Sequence, residues 1–244
     1  MKLYGLIGFP LSHSFSKKYF TDKFLKEGIE DCVYELFPLE HINHLPQLVQ
    51  AHPYLCGLNV TIPYKEQVLP YLNDYSKVVA ETGACNCITI RNGHLKGYNT
   101  DVAGFEQSLK PLLQAHHTKA LILGTGGAAK AVEWVLKNIG IDCRYVSRKK
   151  IDGILSYDEL DEALLTDYPL IINTTPLGMQ PNVTTKPSLP YAGIGPNHLC
   201  YDLVYNPAVT AFLQEASQRG AVIKNGLEML ELQAEEGWRL WNSE

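Results

Sequence analysis

The chain has 244 residues, 45% of them hydrophobic and 19% charged, with a formal net charge of −5. That is the composition of one large or two small globular α/β-sized domains. The acidic balance, with no basic run longer than "SRKK", excludes nucleic acid as the main partner, and no stretch approaches the ~20 apolar residues of a membrane span.

The six cysteines, Cys32, Cys56, Cys85, Cys87, Cys143 and Cys200, form no CxxC and no zinc-like Cys/His spacing, so no metal is expected. Unpaired thiols suit a reducing cytoplasm. Cys85 and Cys87, two apart in an apolar run, are expected to share one strand face as small core residues. The start, "MKLYGLIGFP", carries one basic residue and no small-residue cleavage site, so it does not read as a signal peptide.

In chain order, "KLYGLIGFP" reads as a strand and "SHSFSKKYFTDKFLKEG" as a helix stopped by Gly28. "DCVYELFPL" is again strand-like, and "HINHLPQLVQAH" is helix-like despite Pro46. The stretch "LCGLNVTIPYKE" is a strand that places Asn59 and Thr61 on one face. Pro63 then breaks it, having no N–H to give, and Lys65 follows. Taken alone, a satisfied strand end with a solvated lysine is the plainer account of this stretch. "ACNCITIRNGHLKGYNTD" breaks the strand–helix rhythm with a hairpin turning at Asn-Gly.

"TDVAGFEQSLKPLLQAHH" predicts an amphipathic helix with Thr100 or Asp101 as N-cap and His116 and His117 at its C-terminal end. "KALILGTGGAAKAVEWVLKNIGIDCRYVSRKK" is strand, glycine turn, helix, strand: a βαβ unit. Its loop, with Gly124, Gly126, Gly127, Ala128 and Ala129, opens a helix. There, small residues let a pyrophosphate approach free N–H groups. About 20 residues on, an NAD site would place an acid. Here Ser147, Arg148 and Lys149 stand instead, so a ribose 2′-phosphate, and hence NADP, is favoured over NAD. "PLIINTT", "HLCYDLVY" and "AVIKNG" are further strands, with helices after Pro207 and from Leu227 to Trp241. Trp134, Trp238 and Trp241 read as packing residues.

With these pieces placed, the chain resembles the shikimate dehydrogenase family nearly end to end. "SHSFS" is similar to the family's substrate-binding serine loop, which points to Ser14 and Ser16. "NVTIPYK" is similar to its N-V-T-x-P-x-K signature. "GACN" and "NTD" resemble the segments carrying a substrate-binding Asn and the catalytic Asp, here Asn86 and Asp101. "GTGGAA" matches its NADP loop, and "NTTPLGM", with Thr174, resembles the stretch lining the nicotinamide. "DLVY" and "NGLEMLELQA" are similar to segments carrying cofactor residues, here Leu203 and Gly226, and substrate residues, here Tyr205 and Gln233.

The resemblance implies a two-domain α/β enzyme. A mostly parallel substrate domain would take residues 1–101 with 225–244, and a Rossmann-like NADP domain 102–224, with the active site in the cleft between. It implies reversible NADPH-dependent reduction of 3-dehydroshikimate to shikimate. Lys65 and Asp101 would be catalytic. Ser14, Ser16 and Tyr205 would meet the substrate carboxylate, and Asn59, Thr61, Asn86 and Gln233 its hydroxyls. A monomer or homodimer is expected.

Two departures from the family stand out. The interval from Arg148 to Asn173 looks short, which bears on the adenosine side, and "GACNC" replaces the more usual G-A-V-N-T. Two other readings fit the same features: a quinate/shikimate dehydrogenase with relaxed NAD/NADP use, and a non-catalytic metabolite or NADP sensor. Intact Lys65 and Asp101 argue against the sensor, and the acid-free "SRKK" turn argues against NAD. His13 in the serine loop reads as a packing residue, Ser12 or Ser14 as a helix cap, and Met179 as a neighbour of the nicotinamide or a gap-filler.

Overall fold

The computed structural model describes residues 1–11 and 14–243. They divide into two compact units, Met1–Thr100 with Ala234–Glu244, and Asp101–Gln233.

In the first unit β1 (Lys2–Gly8), α1 (Phe15–Glu27), β2 (Cys32–Pro38), α2 (Leu45–Ala51) and β3 (Leu55–Val60) alternate strand and helix. β4 (Asp74–Tyr75), α3 (Lys77–Thr82) and the hairpin β5 (Cys87–Arg91) and β6 (His94–Tyr98) follow. The sheet order is β2-β1-β3-β5-β6-β4. Strands β2, β1 and β3 are parallel, as helical crossovers require; β5 runs antiparallel to both β3 and β6. The hairpin turns at Asn92 and Gly93, both at positive φ (51° and 77°), the conformation Asn-Gly adopts most readily.

The second unit holds α4 (Asp101–Leu109), β7 (Lys119–Leu123), α5 (Gly127–Asn138), β8 (Asp142–Ser147) and β9 (Leu155–Ser156). It continues with α6 (Glu162–Asp167), β10 (Leu170–Asn173), β11 (Leu199–Asp202), α7 (Ala211–Gln218), β12 (Val222–Lys224) and α8 (Leu227–Asn242). The parallel order β12-β11-β10-β7-β8-β9 is the doubly wound arrangement, with its switch point between β7 and β10. Leu121, Leu123, Ile171 and Cys200 from its strands pack with Phe212 and Leu213 of α7 in one buried cluster.

The end of α8 returns to the first unit. Ala234 and Trp241 join Tyr4, Phe20, Tyr34 and Cys87 in one core layer. The Trp241 indole N–H donates to the Ile88 carbonyl at 3.0 Å, and the ring lies over Gly57, where a Cβ would overlap it. Among the described residues, no helix is long and apolar enough to cross a membrane.

Two local expectations are corrected. Helix α4 stops at Leu109 and tightens into a 3-10 turn over Lys110–Leu112, because Pro111 has no N–H for a helical bond. His116 and His117 therefore lie beyond the helix in a turn. There His117, buried, accepts the Gln114 N–H on Nδ1 at 3.0 Å, and burial pushes its pKa down. Cys85 and Cys87 do not share a face: Cys85 precedes β5 and packs with Leu58, Val60 and Ile88, whereas Cys87 packs with Tyr4 and Trp241 on the other layer. The segment after Arg148 is short, with a two-residue β9 and a six-residue α6.

Candidate active site

Within the first unit, several of the expected substrate residues belong to one buried polar network. Asn59, 6% exposed near the end of β3, accepts the Tyr34 hydroxyl proton on Oδ1 at 2.7 Å. Its Nδ2 donates to the Asn86 carbonyl at 3.4 Å. Asn86, 3% exposed, donates from Nδ2 to Thr100 Oγ1 at 3.0 Å and accepts the Thr100 N–H on Oδ1 at 2.6 Å. Ser16 lies in the first turn of α1. Ser14 occupies the N-cap position of α1 but makes no capping bond. Its hydroxyl is buried and has no hydrogen-bond partner among the described residues. Such an orphaned group calls for a partner. Ser12 and His13 lie outside the described residues.

The loop after β3 is tied to this network by its backbone. Thr61 N–H donates to the Ile7 carbonyl at 2.9 Å, and the Lys65 carbonyl accepts the Cys85 N–H at 2.7 Å, one residue before Asn86. Lys65 is thus held by its backbone beside Asn86, with its side chain half-buried. Asn99, buried, braces the same turn through Nδ2 to Thr82 Oγ1 (3.3 Å) and the Ala84 carbonyl (3.1 Å).

In the second unit Asp101 is the first residue of α4 and is buried. A turn later, Gly104 lets α8 come close: a Cβ there would press on the Met229 carbonyl and on the backbone N and Cβ of Gln233. Gln233 donates from Nε2 to the Leu230 carbonyl at 2.9 Å on the same helix. Tyr205 lies just past β11, and burial raises its pKa.

The remaining expected residues surround the carboxyl ends of β7, β8, β10 and β11, where doubly wound sheets bind dinucleotides. Gly124 takes φ +110°, beyond the reach of ordinary side chains, and a Cβ there would also press on Thr174. Thr174 itself bonds the Leu123 carbonyl through its N–H (3.0 Å) and Oγ1 (2.7 Å), which pins the two sides of the switch point together. Gly126 caps α5 at φ −81°, and a Cβ there would meet nothing within 4 Å. Neither backbone nor packing demands glycine at 126, which leaves open space at a helix N-terminus. Gly127 through Ala129 form the first turn of α5, whose first turn carries no acid. At the end of β8, Ser147 Oγ accepts the Lys149 N–H at 3.1 Å, and Arg148 and Lys149 are exposed. Gly226 lies against Leu203, where a Cβ would overlap the Leu203 carbonyl.

Two residues with structural claims on the site went unread in the sequence. Tyr34 reads only as a strand aromatic. Asp202, buried at the end of β11, accepts from Asn173 Nδ2 (2.9 Å), Val204 N–H (3.0 Å) and Thr210 Oγ1 (2.5 Å). It thereby joins the loops that carry Thr174 and Leu203. A buried tyrosine or carboxylate must find partners, but the sequence does not name them.

A parallel sheet in doubly wound order with an open glycine turn at its switch point, alongside a second α/β unit with a buried polar network, defines the class of two-domain, dinucleotide-dependent oxidoreductases. The comparisons narrow the class. Residues 6–88 match the shikimate dehydrogenase substrate binding domain. The chain is 36% identical to shikimate dehydrogenase (NADP(+)) of Carboxydothermus hydrogenoformans, over 98% of this chain and 91% of that protein. The crystal structure of shikimate dehydrogenase 1 from Peptoclostridium difficile is 34% identical with a TM-score of 0.84, covering 99% of this chain and 91% of that one. Shikimate 5-dehydrogenase from Thermus thermophilus, in complex with NADP(H) and shikimate, is 29% identical with a TM-score of 0.88, covering 99% and 94%. The chain belongs to the shikimate dehydrogenase family.

Proposed function

We propose that this chain catalyses the reversible NADPH-dependent reduction of 3-dehydroshikimate to shikimate, the step that serves aromatic amino acid biosynthesis. The observation that carries the substrate half is the buried network linking Tyr34, Asn59, Asn86 and Thr100, together with the buried Ser14 hydroxyl that has no partner among the described residues. A site of this kind holds a polyhydroxylated acid and rejects analogues that leave its polar groups unpaired. Residues 1–101 with 225–244 hold the substrate, and residues 102–224 hold the dinucleotide. The enzyme works in the cytoplasm, in keeping with its free cysteines, as a monomer or homodimer.

NADPH, when bound, supplies a hydride to the ring carbonyl carbon. Gly124, Gly126, Gly127, Ala128 and Ala129 cradle its pyrophosphate, Ser147, Arg148 and Lys149 take the 2′-phosphate, and Thr174, Leu203 and Gly226 bound the nicotinamide side. Lys65 Nζ gives its proton to the carbonyl oxygen and, while cationic, stabilises the negative charge growing there. In the oxidative direction the neutral amine takes the proton from the substrate hydroxyl. Asp101 supplies the balancing negative charge and accepts from a substrate hydroxyl. Ser14, Ser16 and Tyr205 donate to the substrate carboxylate. Asn59, Thr61, Asn86 and Gln233 pair with its hydroxyls.

The test is a set of initial rates with shikimate or quinate, each with NADP or NAD. Turnover fastest with shikimate and NADP supports the reading; preference for NAD or equal use of quinate overturns it.

A further inference from the structure

We propose that Tyr34 is a positioning residue for the substrate, acting through Asn59; the inference rests on the substrate role proposed for that residue. Tyr34 sits on β2, the edge of the first sheet, and Asn59 on β3, with β1 between them. The phenol spans that distance, buried to 3% exposure and stacked on Phe20 at 4.6 Å and 15°.

Its hydroxyl has one proton to give, and Asn59 Oδ1 takes it at 2.7 Å. A carboxamide's two ends have nearly the same shape, so only their partners decide which way the group faces. Here the Tyr34 proton fixes the oxygen end. Asn59 therefore keeps two N–H groups as donors, one directed to the Asn86 carbonyl at 3.4 Å and one for a ligand hydroxyl. Burial holds the phenol far above its ordinary pKa, so it stays a donor at every working pH. Phenylalanine would fill the same volume and keep the stack; among the described residues the hydroxyl's hydrogen bond is the one to Asn59. That leaves orientation as its role.

The experiment is a double-mutant cycle of Tyr34→Phe and Asn59→Ala, read as KM for shikimate, KM for NADP and kcat. Tyr34→Phe is expected to raise KM for shikimate about fivefold to tenfold, the size of one well-made hydrogen bond. KM for NADP should stay within about twofold. In the Asn59→Ala background the same change should add less than about twofold, because the partner is already gone. An unchanged KM for shikimate in Tyr34→Phe, or an equal rise in both backgrounds, overturns the proposal while leaving the site reading intact. If Asn59→Ala itself leaves KM for shikimate unchanged, the site reading falls, and the proposal with it. A measurement on the unmutated protein guards against misfolding of the variant. Its NMR spectrum should show a slowly exchanging Tyr34 hydroxyl proton that shifts when shikimate is added. A resonance indifferent to shikimate contradicts the proposal.

Discussion

Asn86 and Thr100 hold each other twice: the asparagine oxygen accepts the Thr100 N–H at 2.6 Å, and its Nδ2 donates to Thr100 Oγ1 at 3.0 Å. This pair closes the β5–β6 hairpin at the step where the chain enters α4, one residue before Asp101. An Asn86→Ala variant would strip the buried Thr100 N–H of its partner, at a cost of about 1–3 kcal/mol. The expected outcome is a fall of that size in unfolding free energy by urea titration, together with a raised KM for shikimate. A stability loss with unchanged KM would mean that Asn86 is structural only.

Gly126→Ala is expected to separate binding from folding. The backbone at 126 suits any residue and the space around it is empty of protein, so the only structural penalty is a weaker helix cap, below about 1 kcal/mol. Under the proposed cofactor assignment, the added methyl would stand in the path of the dinucleotide phosphates. KM for NADP should rise at least about tenfold, while the melting temperature moves little.

Arg148 and Lys149, exposed at the end of β8, should discriminate between the two dinucleotides. Replacing both with Ala is expected to weaken NADP by about one to three orders of magnitude, since charge-assisted bonds to a phosphate are worth roughly 1.5–3 kcal/mol each. NAD use should change little. Parallel loss with both cofactors would contradict the 2′-phosphate assignment.

Asp202 carries a pH signature. Burial raises its pKa from 3.8 to about 6, against the pull of its three hydrogen bonds. The fold therefore prefers the protonated acid. The stability it contributes is complete below about pH 4 and is lost as pH rises through 6, on the order of 3 kcal/mol. Asp202→Asn keeps an acceptor for Asn173 and Val204 and removes the charge. Its unfolding midpoint relative to the wild type should rise between pH 5 and 7.5. Identical pH dependence in the two proteins would contradict this.

Local chemistry was the legible part of this fold. The Asn-Gly turn, the glycine loop between β7 and α5 and the alternation of strands with helices each show in a short window of residues. So do Lys65 and Asp101 as candidates, once the signature stretches stand in order. What did not show depends on contacts far apart in the chain. Tyr34 and Asn59 are 25 residues apart, and their pairing exists only because β1 lies between their strands. Cys85 and Cys87 face different core layers because the strand begins between them, a boundary that alternation alone misplaces. His116 and His117 were drawn into a helix by periodicity, although Pro111 had already ended it. The charge state of Asp202 follows from a burial that the motif "YDLVY" does not reveal.

The central claim is that Lys65 moves the proton. Its most direct test is kcat of Lys65→Ala for shikimate oxidation with NADP, measured alongside the Kd for shikimate. Loss of an acid–base group predicts a fall in kcat of roughly 10²–10⁴-fold, with Kd raised far less. A variant that keeps kcat within about threefold while binding shikimate much more weakly would contradict the account and make Lys65 a recognition residue.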